Sequence, residues 1–553
     1  MLIKVDNVTY TYAKKKSPSV SGLNFTADEG EVIAVVGRSG CGKSTLGNLV
    51  TGVIPGIFTD GQLEGNVLKA KGILVGLVSQ TPENQLFGYS TEDAILFGME
   101  NLCLERDEVA ERLEYVLDLL NIQYLRKRPI EKLSGGQKQS VCIASILALK
   151  PKVIVMDEPV SSLDPAGKSL VQSILFRLKE TGQSIILLDQ NLEWCHKAVT
   201  RIVGMEAGRI VFNGSFGDLI SDPVLCRSLG VTLPPVTEVC TLLRERGIEV
   251  EPTPEWEGDI RELCAGLDFS CIADETLEQS HGGDAFRTES LVHSFGDFQA
   301  LRGISVSFEA GKVTAILGQN GCGKTTLIKH FNGLLRPTSG RVYFFGEDNK
   351  NLSVAQLSER IGFCFQHPDQ MLFEDTVEKE ITFASRMHKK DLSRENVLAL
   401  LERYDLADAI DAFPSNLSMG QKHMVSILAC AATEADVYIF DEPTLGMDSV
   451  LKQYLLRLIR ELRAKEKTVL IISHELAFVC EVADRAVIMK EGLLLESGEC
   501  ADIFADPDLF EQTRIPLPQI RRVANELGLP KRILTSEQLA EAIAACIRKG
   551  AAV

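Results

Sequence analysis

Long apolar runs are missing from this chain. No stretch reaches the roughly 18 consecutive apolar residues that a membrane-spanning helix needs, so work at a membrane would require a partner to hold the chain there. The opening segment "MLIKVDNVTY" has no long apolar stretch and no small-residue cleavage site, so a secretory leader is not expected and the chain is read as cytoplasmic. Basic charge is also short: 58 Lys and Arg stand against 76 Asp and Glu, a net charge of −18. Proteins that neutralise many phosphates of DNA or ribosomal RNA carry a basic surface, so no nucleic-acid partner is expected. The fourteen cysteines are scattered, with no C-x-x-C pair and no Cys/His cluster at zinc spacing. They read as reduced, buried small hydrophobes.

What the chain does have is 553 residues of ordinary globular composition, 45 % hydrophobic and 24 % charged, enough for more than one domain. It also repeats itself. "GRSGCGKST" (Gly37 to Thr45) recurs as "GQNGCGKTT" (Gly318 to Thr326), and "VIVMDEP" (Val153 to Pro159) as "VYIFDEP" (Val437 to Pro443). "LSGGQ" (Leu133 to Gln137) recurs as "LSMGQ" (Leu417 to Gln421), and from there the register is constant: Ser134 matches Ser418, Asp157 matches Asp441, and Asp164 matches Asp448. "DLISDP" (Asp218 to Pro223) and "LPPVTEV" (Leu233 to Val239) also return, as "DIFADP" (Asp502 to Pro507) and "LPQIRRV" (Leu517 to Val523). Each half is thus expected to be a nucleotide-binding core with a small C-terminal appendage: cores at 1–214 and 285–498, appendages at 215–284 (with a linker) and 499–553. The linker is the acidic stretch from "EPTPEWEGD" (Glu251 to Asp259) through "SHGGDA" (Ser280 to Ala285). Apolar runs alternate with helical stretches, which predicts α/β layers. "EVIAVVG", "VIVMD" and "SIILLD", with "KVTAILG", "VYIFD" and "TVLIIS", read as buried parallel strands.

Both glycine loops fit G-x-x-x-x-G-K-[ST] between a strand and a helix. Glycines let backbone N–H groups wrap phosphates, and the helix N-terminus adds partial positive charge. The loop residues are Gly37, Ser39, Gly40, Gly42, Lys43, Ser44 and Thr45 in the first half, and Gly318, Asn320, Gly321, Gly323, Lys324, Thr325 and Thr326 in the second. Lys43 and Lys324 should reach the β/γ-phosphates of ATP, and Ser44 and Thr325 should ligate Mg²⁺. Asp157 and Asp441, ending apolar strands, are placed to hold the Mg²⁺ shell; Glu158 and Glu442 could polarise the attacking water.

Together these motifs resemble the ATP-binding cassette (ABC) superfamily over nearly the whole chain, which implies two P-loop ATPase domains in tandem. In that family LSGGQ is the signature at a helix N-terminus that closes over ATP held by the opposite cassette, a role the resemblance assigns to Ser134, Gly135, Gly136 and Gln137 and to Ser418, Met419, Gly420 and Gln421. It also implies that Gln80 and Gln366 sense Mg²⁺ and the membrane partner, and that Tyr12 and Phe295 stack on adenine. By the same likeness Ser161 to Asp164 and Leu445 to Asp448 link the two sites, and His474 is the switch that contacts the γ-phosphate. More narrowly, "SQTPENQLF" (Ser79 to Phe87) and "FQHPDQMLF" (Phe365 to Phe373) share Q-x-P-[DE]-x-x-L-F, which is similar to the ATPases of energy-coupling-factor importers of vitamins and transition-metal ions. "TEDAILFG", "VEKEITFA" and the appendages continue that likeness. It implies a peripheral position at the cytoplasmic face of the cell membrane, an energy-coupling membrane protein and a substrate-binding membrane component as partners, and head-to-tail pairing of the cassettes. Another importer class, for sugars or peptides, and a soluble twin-cassette translation factor are the competing readings.

The halves differ at three of these positions. Met419 replaces a signature glycine, Gln190 stands where the second half has His474, and Phe295 replaces Tyr12. Under head-to-tail pairing, Met419 and Gln190 both serve the ATP held by Lys43. Gln190 can hydrogen-bond a phosphate but cannot take a proton near neutral pH, as His474 can. The expectation is one efficient site around Glu442 and His474, and one slow site around Glu158 and Gln190. Cys41 and Cys322 lie inside the glycine loops, where a lysine and a helix N-terminus can activate a thiol; simple packing is the competing reading.

Overall fold

The computed structural model describes residues 1–13, 17–270, 272, 282–387, 392–513 and 515–550. It divides into two compact units. One holds Met1–Thr237 with Pro252–Pro254, the other Glu238–Glu251 with Glu255–Val553.

In the first unit the strands Val75–Val78, Val153–Asp157, Ser184–Leu188, Val32–Val36 and Arg201–Glu206 run parallel in that order, and Arg209–Gly214 closes the edge antiparallel. All five residues of Val32–Val36 and of Ser184–Leu188 are buried, because helices cover both faces of a parallel sheet; the continuous apolar runs express this. A second, antiparallel sheet pairs Ile3–Thr11 with Val20–Ala27 and Gln62–Lys69. The other unit repeats the plan. Ile361–Cys364, Val437–Asp441, Thr468–Ile472, Val313–Leu317 and Arg485–Lys490 run parallel, Leu493–Glu499 antiparallel, and Asp284–Phe295 pairs with Phe298–Glu309 and Ser339–Phe344. In each unit a glycine loop follows the fourth strand of the parallel series and opens a helix, Lys43–Thr51 or Lys324–Phe331.

The boundary between the halves differs from the repeat-based expectation in one respect. Most of the first half's appendage belongs to the compact unit of the second cassette. The helix Pro235–Glu245 buries Val239, Cys240 and Leu243, and Arg246 beyond it pairs with Glu537 at the start of the helix Ser536–Gly550. The stretch expected as a linker is not all linker. Asp259–Ala265 is a helix with Ile260 and Cys264 buried and Arg261 paired to Glu526 at 2.9 Å. Its apolar residues lie four apart, on one face, and the surrounding acidic and proline residues hid that spacing. Cys271 and residues 273–281 of that stretch lie outside the described residues. The described cysteines are free and all but Cys103 are buried. Burial pushes the Cys264 thiol, with Cys240 and Cys546 facing it, up to about 12, as expected of thiols that act as core hydrophobes.

Candidate active site

The glycine loops owe their shape to positions no other residue can fill. Gly42 has φ 107°, and a Cβ there would sit 2.7 Å from the carbonyl oxygen of Ser19; Gly323, at φ 103°, would meet Ala300 at 2.8 Å. Each is the residue before the helix, so the first-turn N–H groups open into the loop. Both lysines are buried and rest on loop carbonyls: Lys43 Nζ donates to Gly37 at 2.5 Å and Arg38 at 3.2 Å, and Lys324 Nζ to Gly318 at 2.7 Å and Gln319 at 3.0 Å. Burial is the main influence on Cys322 and raises its pKa against the pull of Lys324, which favours the packing reading.

Thr325 Oγ1 donates to Asp441 Oδ2 at 3.0 Å, and Ser44 bonds Asp157 in the same way. Burial raises both aspartates above the usual carboxylate range, opposed by that hydroxyl and by the loop lysine. A hydroxyl beside one carboxylate suits Mg²⁺, which takes hard oxygen donors from one or two protein groups and the rest from phosphate and water. Among the described residues no cluster of three or more His, Cys, Asp or Glu forms a metal cage, which fits that division. Ser44 and Asp157, and Thr325 and Asp441, would hold the ion, which would supply neutralising charge on the phosphates.

Glu158 and Glu442 follow these aspartates with φ 43° and 51°. A left-handed backbone costs a non-glycine residue about 1–2 kcal/mol. Both are held there by the same bond, the glutamate N–H donating at 2.9 Å to Leu188 in one unit and Ile472 in the other. The side chains then part company. His474 Nε2 lies 3.0 Å from Glu442 Oε1 and 2.7 Å from Asn320 Oδ1, tying carboxylate, switch and glycine loop together. In the first unit Gln80 Nε2 donates to Glu158 Oε2 at 2.7 Å, while the buried Gln190 carries a side-chain oxygen with no hydrogen-bond partner. Gln366, matching Gln80, is half-buried.

Of the two aromatics expected to stack on adenine, Tyr12 has its OH 3.3 Å from Thr45 Oγ1, and its ring meets Tyr10 edge-on at 4.8 Å. Phe295 is exposed and rests on His293 at 4.6 Å, and His293 is bonded to the buried His330, whose Nδ1 sits 2.7 Å from the Thr326 carbonyl. No motif search would single out this histidine pair. It is visible only when His330 is set against Leu49, its counterpart in the repeat.

Each signature segment starts a helix, Gly135–Leu147 or Met419–Ala431, and the S-x-x-Q spacing makes a capping box. Gln137 N donates to Ser134 Oγ at 3.4 Å and Ser134 N to Gln137 Oε1 at 3.1 Å; Gln421 and Ser418 repeat both bonds at the same lengths. Met419 therefore leaves the helix start unchanged. Its side chain lies against Gly446, which has φ 70° and where a Cβ would come within 2.8 Å of Met419 Cγ; the first half has Ser162 at that position. The fourth residue of each signature helix, Lys138 or Lys422, directly follows the capping glutamine and is ion-paired to the acidic residue of the Q-x-P-[DE] segment: Lys138 to Glu83 at 2.8 Å, Lys422 to Asp369 at 2.7 Å.

Two glycine loops, two strand-ending Asp-Glu pairs and two capped signature helices define a pair of P-loop ATPase cassettes. The family model described as "ABC transporter" matches residues 20–161 and 301–445. A Caldanaerobacter subterraneus protein described as an ABC transporter ATP-binding protein is 32 % identical over 97 % of this chain and 98 % of its own. A Bacillus subtilis protein described as the HMP/thiamine import ATP-binding protein YkoD is 29 % identical over 94 % of this chain and 95 % of its own. Among solved structures, the archaeal ribosome recycling factor aABCE1, in complex with the ribosomal stalk protein aP1, matches with a TM-score of 0.56 at 21 % identity over 93 % of this chain and 96 % of its own, a likeness of fold. The chain belongs to the ABC transporter family, as a tandem-cassette ATPase that binds ATP with Mg²⁺.

Proposed function

We propose that this chain is the ATPase of an energy-coupling-factor-type importer, taking up a vitamin or a transition-metal ion through membrane partners, with unequal ATP sites. The observation that carries the importer reading is the doubled Q-x-P-[DE]-x-x-L-F segment, built the same way in both cassettes. In each, the segment's glutamine (Gln80, bonded to Glu158, and the half-buried Gln366) is followed by an acidic residue bonded to the signature helix. The segment ends in exposed aromatics: Phe87 stacks on Phe97 with centroids 4.9 Å apart, and Phe373 is exposed in the second cassette. Apolar surface beside the phosphate-sensing glutamine suits a membrane protein's cytoplasmic helix. The relative described as a thiamine import ATPase supports the same reading. No described helix is long and apolar enough to cross a membrane, so the transport path must come from partners.

The two cassettes on one chain fix one copy of each and keep them at high effective concentration. ATP binding would close them head to tail, each signature helix over the other's ATP, and hydrolysis would reopen them. The site of Lys324, Asp441, Glu442 and His474 hydrolyses efficiently; that of Lys43, Asp157, Glu158 and Gln190 turns over slowly. In energy-coupling-factor importers a separate membrane protein chooses the substrate, so on this reading none is encoded here. Affinity purification of the tagged chain from its native membranes tests the reading: a polytopic membrane protein should co-purify at fixed stoichiometry. Co-purification with ribosomes and no membrane protein would overturn it in favour of a translation role.

A further inference from the structure

Beside Gln190 lies a residue that no motif singles out. Asp189 is buried in the first cassette where the second has Ser473. Both residues accept a hydrogen bond from the backbone N–H two residues on, Asn191 at 2.9 Å and Glu475 at 3.1 Å. Asp189 alone has a second anchor: its other carboxylate oxygen accepts the indole N–H of Trp194 at 3.0 Å, with both side chains buried. The main chain around it is strapped as well. Gln190 O accepts from Thr232 N at 2.9 Å, and Leu192 N donates back to Thr232 O at 3.2 Å. The second cassette instead continues from His474 into the helix Leu476–Val482. Bound to both strap and indole, the segment that carries Gln190 holds the glutamine side chain buried with an unpartnered oxygen. A histidine placed there would inherit that backbone.

We propose that Asp189 is a positioning residue that locks the switch segment of the first cassette, so that this site is slow through the placement of residue 190 as well as through its chemistry. The inference rests on the unequal-site reading. Hydrogen bonds between buried partners are strong enough to hold such a segment.

The test uses the full-length chain in a Glu442→Gln background, which leaves turnover to the first site. Steady-state ATPase and fluorescent-ATP affinity are measured for Q190H, for D189S/Q190H and for the background itself. The lock predicts that Q190H raises kcat less than about 3-fold, that D189S/Q190H raises it more than about 10-fold, and that nucleotide affinity stays within about 2-fold throughout. A purely structural Asp189 would lower melting temperature and affinity without raising kcat. Equal gains from Q190H and D189S/Q190H would overturn the inference while leaving unequal sites intact. So would no gain from either with ATP bound normally. If Glu442→Gln alone keeps half or more of the wild-type rate, the first site is not slow and both the reading and the inference fall. Should D189S/Q190H fail to fold, W194F/Q190H decides, because it removes the indole donor and keeps the carboxylate: it should raise kcat more than about 3-fold over the Glu442→Gln background without weakening ATP binding, and a gain no larger than that of Q190H would overturn the lock.

Discussion

At the scale of residues, the signature methionine is accommodated rather than damaging. In the sequence Met419 stands where the other signature has a glycine. In the structure its side chain turns to Gly446 of its own cassette, and both capping-box bonds stay in place. Methionine and glycine form a complementary pair; the other cassette has Gly135 and Ser162 at these positions. Restoring only one partner should therefore hurt. G446S adds a Cβ at a position with φ 70° and within 2.8 Å of Met419 Cγ, and should destabilise the second cassette. M419G/G446S should recover part of that loss, with a coupling of about 1–2 kcal/mol in a double-mutant cycle of denaturant melts. Additive effects would show the pair to be independent. The proposed asymmetry between the sites then has its structural sign at Gln190 against His474, where one carboxylate meets a histidine at 3.0 Å and the other meets Gln80 at 2.7 Å.

At the scale of elements, much was legible. A glycine loop needs its residues adjacent in sequence, so G-x-x-x-x-G-K-[ST] displays the phosphate cradle whole. The capping boxes and the buried strands are equally local. What stayed hidden depends on contacts across long separations. The appendage helix Asp259–Ala265 looked like linker because its partners lie far along the chain, such as Glu526, 265 positions from Arg261. Asp189 read as part of a strand end, and only its bond to Trp194 gives it a role. The signature helices hold a further example. His423, where the first half has Gln139, is fully buried, and burial pulls its pKa down to about 4, with His367 and Asp369 facing it. A histidine that stays neutral when folded, but charges at its ordinary value when unfolded, contributes stability that is complete above pH 6.5 and is lost as pH falls toward 4. H423Q, which copies the first half, removes this proton uptake. Its stability should fall less between pH 6.5 and 4 than the wild type's, by on the order of 3 kcal/mol, in denaturant melts of the full chain. Parallel curves would show that His423 is not a source of the acid sensitivity.

At the scale of the molecule, one chain carries two cassettes that share a plan and differ where the chemistry happens. A homodimer could not do this, because symmetry would give both sites the same switch residue. Fusion permits one site to be tuned for turnover and the other for holding nucleotide. The repeat made this arrangement visible in the sequence, because aligning the halves set Gln190 against His474 directly. It could not show that the most of the first half's appendage joins the compact unit of the second cassette, since that depends on which surfaces bury Leu243 and Val239. The central claim is that turnover belongs mainly to the site of Glu442 and His474. Steady-state ATPase of Glu158→Gln and Glu442→Gln, each in the full chain with its membrane partners, measures it most directly. Glu442→Gln should lower kcat by more than about 10-fold and Glu158→Gln by less than about 3-fold. Equal losses from the two substitutions would contradict the account.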